Sequence, residues 1–209
     1  MQPRVFPFSK ESRVMTEIPF EEAKKMRETD PFDPRNVRDQ FKGKTNEEII
    51  EELRDEKSQI VLCLSNEIRD MNLSSCIRSA NSFNINHVVM TGRRNYDRRG
   101  AVGAQNYIDV RHEPDLIGTI GKYRAAGFKI VALEYDENFE MTEISDYEWD
   151  DYTLLIAGEE GRSLPETVLT VADDIVYIPM MGTVRSLNLA SAVSIALYDY
   201  EVKQWSRAY

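Results

Sequence analysis

The sequence predicts an α/β fold with a largely parallel sheet over residues 58–209. Five short apolar runs of strand length alternate there with segments whose apolar residues recur at helical spacing. Each run contains an unbroken apolar stretch, which is typical of strands that helices cover on both faces. With 209 residues, 42% of them hydrophobic, the chain can build one full core but not two large domains.

The residues before the sheet, 1–57, are interpreted as a short, mainly helical N-terminal extension. Five prolines lie within the first 44 residues, and no sustained periodic pattern connects them. Thr45 and Glu48 then have the spacing of a capping box, which predicts that a helix begins there. Ile49 and Leu53 belong to the apolar stripe of this helix, which should end before the first strand.

Strands of the domain are predicted at five places: residues 59–64, 87–91, 128–133, 153–157 and 174–178. Helices are predicted between them. Leu73, Ile77 and Ala80 recur at helical spacing after the first strand, and Gly127 is placed to end the helix before the third. The last helix is predicted to begin near Ser186 and to run towards the C-terminus.

Charge is distributed unevenly along the chain. The formal net charge is −10, which by itself disfavours binding to a polyanion. Residues 134–151 contain nine acidic residues and no Lys or Arg, so they account for most of that charge. Residues 91–100 contain four arginines and a tyrosine. Such a local basic patch keeps RNA among the predicted partners.

Several classes of site and location find no support in the sequence. Cys63 and Cys76 are the only cysteines, which predicts two buried, reduced thiols in a cytoplasmic protein. His87 and His112 are predicted to be structural or solvated, and no metal-ligand spacing is found. The lack of metal-ligand spacing predicts that the protein has no metal site. Because no apolar run reaches the roughly 20 residues of a membrane span, and no secretory signal is readable, we expect no membrane partner.

Three polar clusters follow predicted strands. In the first, Asn72 lies six residues before Arg78 on a segment that predicts a helix. The second, residues 158–164, combines glycines with two glutamates and an arginine. The third, residues 178–191, leaves a strand through a proline and a glycine and enters the last helix. Each cluster alone is more typical of a turn or a helix cap than of a functional site. The order of the three clusters along the chain is far more specific.

That order resembles the SpoU or TrmH family of the SPOUT superfamily, the knotted RNA ribose 2′-O-methyltransferases. The family's first motif, an asparagine six residues before an arginine, matches Asn72 and Arg78. Its second motif, G-x-E-x-x-G-[LI], matches at Gly158 and Glu160. Its third motif, I-P-M-x-G-x-V-x-S-L-N-[VL], matches residues 178–189, with Ser186 and Asn188 in place.

The resemblance implies a parallel sheet with a deep C-terminal trefoil knot, and a homodimer that uses S-adenosylmethionine and no metal. It implies five catalytic side chains: Arg78, Asn72, Glu160, Ser186 and Asn188. It implies seven cofactor-binding residues: Leu133, Gly158, Ile178, Met180, Ser186, Leu187 and Asn188. We interpret Arg78 as the anchor for a substrate phosphate, because a guanidinium stays protonated in proteins.

RNA is the substrate that the resemblance implies. Transfer RNA is favoured slightly over ribosomal RNA, because the third motif is most similar to that of the transfer RNA guanosine ribose methylases. The predicted RNA contacts are six arginines: Arg93, Arg94, Arg98, Arg99, Arg162 and Arg185. Since the chain is acidic, we expect a narrow RNA surface or a protein partner, and an RNA affinity that falls steeply with salt.

Two alternatives stay open. Ser163 stands where the second motif has its second glycine, which favours a knotted RNA-binding or scaffold protein with weak or no turnover. The otherwise complete set of catalytic residues favours an active enzyme. Methylation of a protein or a small molecule on the same fold is the other alternative, because a fold does not determine its substrate.

Overall fold

The computed structural model describes residue 33 and residues 35–67, 72–159 and 161–208. Among them are seven strands: β1 (Ser58–Asn66), β2 (Ile85–Gly92), β3 (Val110–Glu113), β4 (Lys129–Leu133), β5 (Thr142–Glu143), β6 (Thr153–Ala157) and β7 (Asp174–Tyr177). They form one sheet in the order β3-β2-β1-β6-β4-β7-β5, and every neighbouring pair is parallel. The predicted parallel α/β fold class is thereby confirmed.

Helices cover both faces of this sheet. The described α-helices are α1 (Asn46–Leu53), α2 (Asn72–Ser82), α3 (Leu116–Ala125), α4 (Glu166–Val171) and α5 (Leu189–Ala208), of which α2 to α5 pack on the sheet. Leu62 and Leu64 of β1 belong to the core under α2 and α5. Val61 and Cys63 belong to the second core, under α3 and α4. Alternate residues of β1 therefore enter two cores, which explains why the middle of the strand, residues 60–64, is apolar without a break.

All five predicted strands are present, and two more were not predicted from the sequence. β3 has the mostly polar sequence VRHE, and β5 has only two residues. Both lie at an edge of the sheet, where one side of a strand needs no partner. Strand order alone does not establish how the chain is threaded, so the knot stays a prediction.

The last helix begins at Leu189, not near Ser186 as predicted. Asn188 explains the correction, because its Oδ1 accepts hydrogen bonds from the backbone N–H groups of Ala190 at 3.0 Å and Ser191 at 3.3 Å. A side-chain oxygen in this position caps a helix. The N-cap is therefore Asn188, and Ser186 lies in the preceding loop.

The capping box predicted at Thr45 is confirmed. Thr45 Oγ1 accepts from the N–H of Glu48 at 3.2 Å, and Glu48 Oε2 accepts from the N–H of Thr45 at 2.7 Å. Helix α1 then buries Ile49 in a small core with Phe41 and Tyr107. Most of the predicted extension, residues 1–32, lies outside the described residues, and its boundary at residue 57 stays a prediction.

The acidic segment, residues 134–151, is held to the domain by α5. Lys203 Nζ donates to the carbonyl oxygen of Ile144 at 2.7 Å. Trp149 is 1% exposed, and its Nε1 donates to Asp199 Oδ2 at 2.7 Å. Six of the nine acidic residues of the segment are nevertheless exposed. The chain's negative charge is thus concentrated on one anchored surface segment.

The two cysteines are buried, as predicted, and both histidines make hydrogen bonds within the fold. Cys63 and Cys76 are both buried, and burial raises the pKa of the Cys63 thiol to about 12. His112 Nε2 contacts the carbonyl oxygen of Gly92 at 2.7 Å. Over the described ranges, no cluster of three or more potential metal-ligating side chains is found. None of the described helices is both long and apolar enough to cross a membrane.

His87 makes stability depend on pH. Its side chain is 5% exposed, and its Nε2 hydrogen-bonds the hydroxyl of Tyr123 at 2.5 Å. Burial, and then the guanidinium of Arg111, lower the pKa of His87 from 6.5 to about 4. In the unfolded chain the imidazole binds a proton near pH 6.5. Its contribution to stability is therefore complete above pH 6.5 and is lost as the pH falls towards 4.

We expect the wild-type free energy of unfolding to fall by about 2 kcal/mol more than that of His87→Gln between pH 7.5 and pH 5. Urea unfolding of both proteins at the two pH values measures this difference. Equal pH dependence in wild type and His87→Gln would show that the buried imidazole is not the cause.

Candidate active site

The carboxyl ends of the parallel strands bring the polar clusters to one edge of the sheet. Strand β4 lies between β6 and β7, and Leu133 at its end is opposite Ala157 of β6 and Val176 of β7. Gly158 directly follows β6, and Ile178 directly follows β7. The residues predicted to bind the cofactor at these three strand ends therefore lie side by side, at the edge where open α/β sheets bind ligands.

Space is limited in the loop after β6. A Cβ atom on Gly158 would lie 3.2 Å from the carbonyl oxygen of Arg162 and 3.4 Å from Leu164 Cγ. The loop is also fixed from β4, because the N–H of Leu164 donates to Glu134 Oε2 at 2.8 Å. A side chain at position 158 would require the Arg162 carbonyl oxygen to move by a few tenths of an ångström, so a glycine suits this tight loop.

The loop after β7 combines apolar side chains with exposed positions. Ile178, Met180 and Leu187 are partly buried, and Ile178 packs against the core. Ser186 is exposed, and Met181 is 97% exposed. Apolar side chains beside accessible loop backbone suit the flat face of an adenine ring, whose polar edge backbone groups can hydrogen-bond. The chemistry of these residues therefore fits the implied cofactor.

A hydrogen bond joins the first and third polar clusters. Asn188 Nδ2 donates to Asn72 Oδ1 at 2.8 Å, across 116 residues of sequence. Because Asn188 also caps α5 through its Oδ1, both ends of its carboxamide are used. Helices α2 and α5 are further joined by the hydroxyls of Ser79 and Ser194, 2.7 Å apart. Two of the predicted catalytic residues are thus in direct contact.

Arg78 lies on α2, six residues after Asn72, and is exposed. The same helix contacts the small-residue loop that begins at Gly100. A Cβ atom on Gly100 would lie 2.4 Å from Ser74 Oγ and 3.0 Å from Ser75 Oγ, so a side chain there would require these hydroxyls to move. With α5 packed against it as well, α2 is held firmly while Arg78 faces solvent. Such an arginine can bind an anion that arrives from outside.

The arginine loop, residues 93–99, follows β2 at the same edge of the sheet. Its four predicted RNA contacts are all exposed: Arg93, Arg94, Arg98 and Arg99. Asp97 pairs with Arg99 at 2.5 Å, and the Arg98 guanidinium lies 5.9 Å from the centre of the half-buried Tyr96 ring. The two remaining predicted contacts are exposed in the loops after β6 and β7: Arg162 and Arg185. Exposed cations therefore line the edge that holds the polar clusters.

The second cluster contains two adjacent glutamates, of which the structure describes Glu159. Glu160, the predicted catalytic glutamate, lies outside the described residues. Glu159 is 8% exposed, and its Oε1 accepts a hydrogen bond from the backbone N–H of Glu67, directly after β1. Motif spacing selected Glu160 and contains no signal for its neighbour. The sequence-based interpretation therefore missed Glu159, which ties this loop to the end of β1.

The family model of the SpoU rRNA methylase family matches residues 59–198. The tRNA (guanosine(18)-2′-O)-methyltransferase of Escherichia coli (strain K12) is 24% identical over 154 residues, which are 72% of this chain and 66% of that protein. The 23S rRNA (guanosine-2′-O-)-methyltransferase RlmB of Acinetobacter baylyi is 28% identical over 161 residues, 74% of this chain and 64% of that protein. This chain thus spans just under two thirds of the length of these relatives.

A solved structure is similar as well. The SpoU methyltransferase AviRb from Streptomyces viridochromogenes, in complex with the cofactor AdoMet, superimposes with a TM-score of 0.60 and 26% sequence identity. The similarity covers 72% of this chain and 60% of that chain. The stretch matched by the family model contains all three polar clusters. The resemblance noted in the sequence is confirmed, and the chain belongs to the SpoU rRNA methylase family.

Proposed function

We propose that this chain is an S-adenosylmethionine-dependent methyltransferase that modifies the ribose 2′-hydroxyl of RNA. The observation that supports this most strongly is the 2.8 Å hydrogen bond between Asn72 and Asn188. It joins the helix that bears Arg78 to the loop proposed to hold the cofactor. Relatives that align over this region are named as guanosine 2′-O-methyltransferases.

The cofactor would bind at the ends of β4, β6 and β7. The proposed contacts are Leu133, Gly158, Ile178, Met180, Ser186, Leu187 and Asn188. When bound, S-adenosylmethionine supplies a methyl group on a positively charged sulfur. The sheet register that aligns Leu133 with β6 and β7 supports this assignment, as does the AdoMet in the AviRb complex. Because the leaving group of such a transfer is neutral, the proposed reaction requires no metal.

The protein's own residues must then align the ribose hydroxyl and assist the loss of its proton. Arg78 is proposed to bind the substrate phosphate, and its positive charge would stabilise the oxygen as the proton leaves. Asn72 and Asn188 hold α2 against the proposed cofactor loop, which fixes the position of Arg78. The exposed Ser186 is available to the substrate. Glu160 completes the proposed set on the basis of its place in the motif.

Transfer RNA is the proposed substrate class, ahead of ribosomal RNA. The similarity of residues 178–188 to transfer RNA guanosine ribose methylases supports this preference, and the E. coli relative is named for that activity. The Acinetobacter relative, named for 23S rRNA, supports ribosomal RNA as the second candidate. The exposed arginines along the sheet edge would bind RNA phosphates.

The proposed enzyme works in the cytoplasm as a homodimer. Exposed apolar residues on α5, Ile195 at 40% and Tyr198 at 58%, support a self-association surface. A protein partner that offsets the acidic segment is a further proposal. Its support is the net charge of −10 on a protein proposed to bind RNA.

An RNA-binding or scaffold protein without turnover is the second candidate function. Ser163, in place of the second glycine of the motif, is the observation that favours it. The residue is exposed, in the loop between Gly158 and Leu164. This candidate differs from the first in one respect that can be measured, because it binds RNA and transfers no methyl group.

Both candidates are tested by incubating the protein with methyl-labelled S-adenosylmethionine and unmodified total RNA, followed by separation of transfer from ribosomal RNA. We expect label in transfer RNA. Label confined to ribosomal RNA would support the activity and refute the substrate preference. RNA binding without label would refute the activity and leave the scaffold function. Repetition at 50 and 200 mM salt should show a steep loss of RNA affinity.

A further inference from the structure

Asn66 connects the sheet to the arginine loop. It is the last residue of β1 and is completely buried. Its Nδ2 donates to the carbonyl oxygens of Arg93 at 2.5 Å and Asn95 at 3.2 Å. Its own carbonyl oxygen accepts from the N–H of Arg93 at 2.8 Å. Three hydrogen bonds from one residue therefore fix the first part of the arginine loop.

A carboxamide is the group that this position requires. Both Nδ2 hydrogens point to backbone carbonyls, so a carboxylate of the same shape would face two acceptors and repel them. Asn66 Oδ1 is buried with no hydrogen-bond partner among the described residues. Burying an amide in this way costs free energy unless its donors are satisfied, so the two bonds to the loop determine the orientation of the side chain.

The next residue connects the same strand end to the proposed cofactor loop. The backbone N–H of Glu67 donates to the buried carboxylate of Glu159, which directly follows Gly158. In the sheet, β1 lies between β2 and β6, so its end lies between the arginine loop and the loop after β6. Asn66 and Glu67 thus fix the position of the arginine loop relative to the loop after β6, which is proposed to contact the cofactor.

We propose that Asn66 is a positioning residue for RNA. It fixes the backbone of the arginine loop, so that the exposed arginines meet the RNA phosphates when the target ribose is at Arg78. Asn66 itself is buried and does not touch RNA. This proposal rests on the proposed function, because it concerns how that function binds its substrate.

The test compares wild type with Asn66→Asp and with the milder Asn66→Ala. We expect the KM for RNA to rise about tenfold, the effect of losing one or two hydrogen bonds. The kcat at saturating RNA and the Kd of S-adenosylmethionine should stay within about twofold of wild type. Thr91→Val is the matched control, since Thr91 is 1% exposed near the end of β2 and its buried hydroxyl has no hydrogen-bond partner among the described residues.

Limited trypsin digestion reports on the loop without reference to activity. Trypsin cleaves after arginine, so faster cleavage after Arg93 and Arg94 in both Asn66 variants is expected. Cleavage after Arg124, outside the loop, should be unchanged. Together with the raised KM, this result supports the proposal.

Three outcomes would overturn it. Unchanged KM and unchanged cleavage would refute the role of Asn66 while the proposed function stands. A combined loss of kcat and cofactor affinity in both variants would show a general structural role. Failure of wild type itself to bind and methylate RNA would refute the proposed function, and the positioning role with it.

Discussion

Replacing Arg78 with alanine is expected to lower kcat about 100-fold to 1000-fold, the usual effect of removing one preorganised charge from an active site. The physical reason is that the guanidinium is proposed to hold the substrate phosphate and to stabilise the ribose oxygen as its proton leaves. Arg78 is exposed, so the substitution leaves the core intact. Steady-state methylation of RNA measures kcat, and the Kd of S-adenosylmethionine is measured separately. The Kd should stay within about twofold of wild type.

Two further variants define what Arg78 does. Arg78→Lys keeps the charge and loses the planar fork that binds a phosphate through two bonds, so we expect it to recover only a part of the activity. Arg54→Ala is the matched control. Arg54 is an exposed arginine that directly follows α1 and pairs with Glu51 of that helix. It should behave as wild type. Full activity of Arg78→Lys would argue against phosphate anchoring by the guanidinium.

Separating Asn72 from Asn188 should reduce both activity and stability. Asn188→Ala removes the cap of α5, which costs about 1 kcal/mol in the free energy of unfolding, and removes the bond to Asn72. The kcat/KM should fall about tenfold or more, because α2 and its Arg78 lose their link to the loop after β7. Asn72→Ala should lower kcat/KM to a similar extent and affect stability less.

A double-mutant cycle measures the pairing itself. The Asn72→Ala and Asn188→Ala effects on kcat/KM should be non-additive by about 1 kcal/mol, since either substitution already breaks the same hydrogen bond. Ser79→Ala with Ser194→Ala is the control pair, as these residues join the same helices at another point. Strict additivity for Asn72 and Asn188 would show that their contact does not couple the two motifs.

The buried part of the fold was predictable from the sequence because burial on both faces leaves a clear pattern. The middle of β1 and nearly all of β6 are apolar without a break, and the capping box at Thr45 specifies its helix locally. The two edge strands leave no such pattern, because β3 is mostly polar and β5 contains two residues. The start of α5 was misplaced for a related reason, since Ser186 and Asn188 are both good caps and only the fold selects one.

The candidate site was predictable as a set of residues and not as a set of contacts. Motif spacing identified Asn72 and Asn188, but their hydrogen bond spans 116 residues and depends on how α2 and α5 pack. Asn66 and Glu159 had no signal in the sequence, because a buried asparagine and a buried glutamate read as ordinary polar residues. Their roles follow from sheet order, which places the end of β1 between two loops.

The position of the transferred methyl group tests the central claim most directly. RNA labelled by the protein is hydrolysed in alkali, where each ribose 2′-hydroxyl attacks the adjacent phosphodiester bond. A methyl group on that oxygen blocks the attack, so we expect the label in alkali-resistant dinucleotides. Label recovered in mononucleotides would place the methyl group on a base and would contradict the proposed ribose 2′-O-methylation.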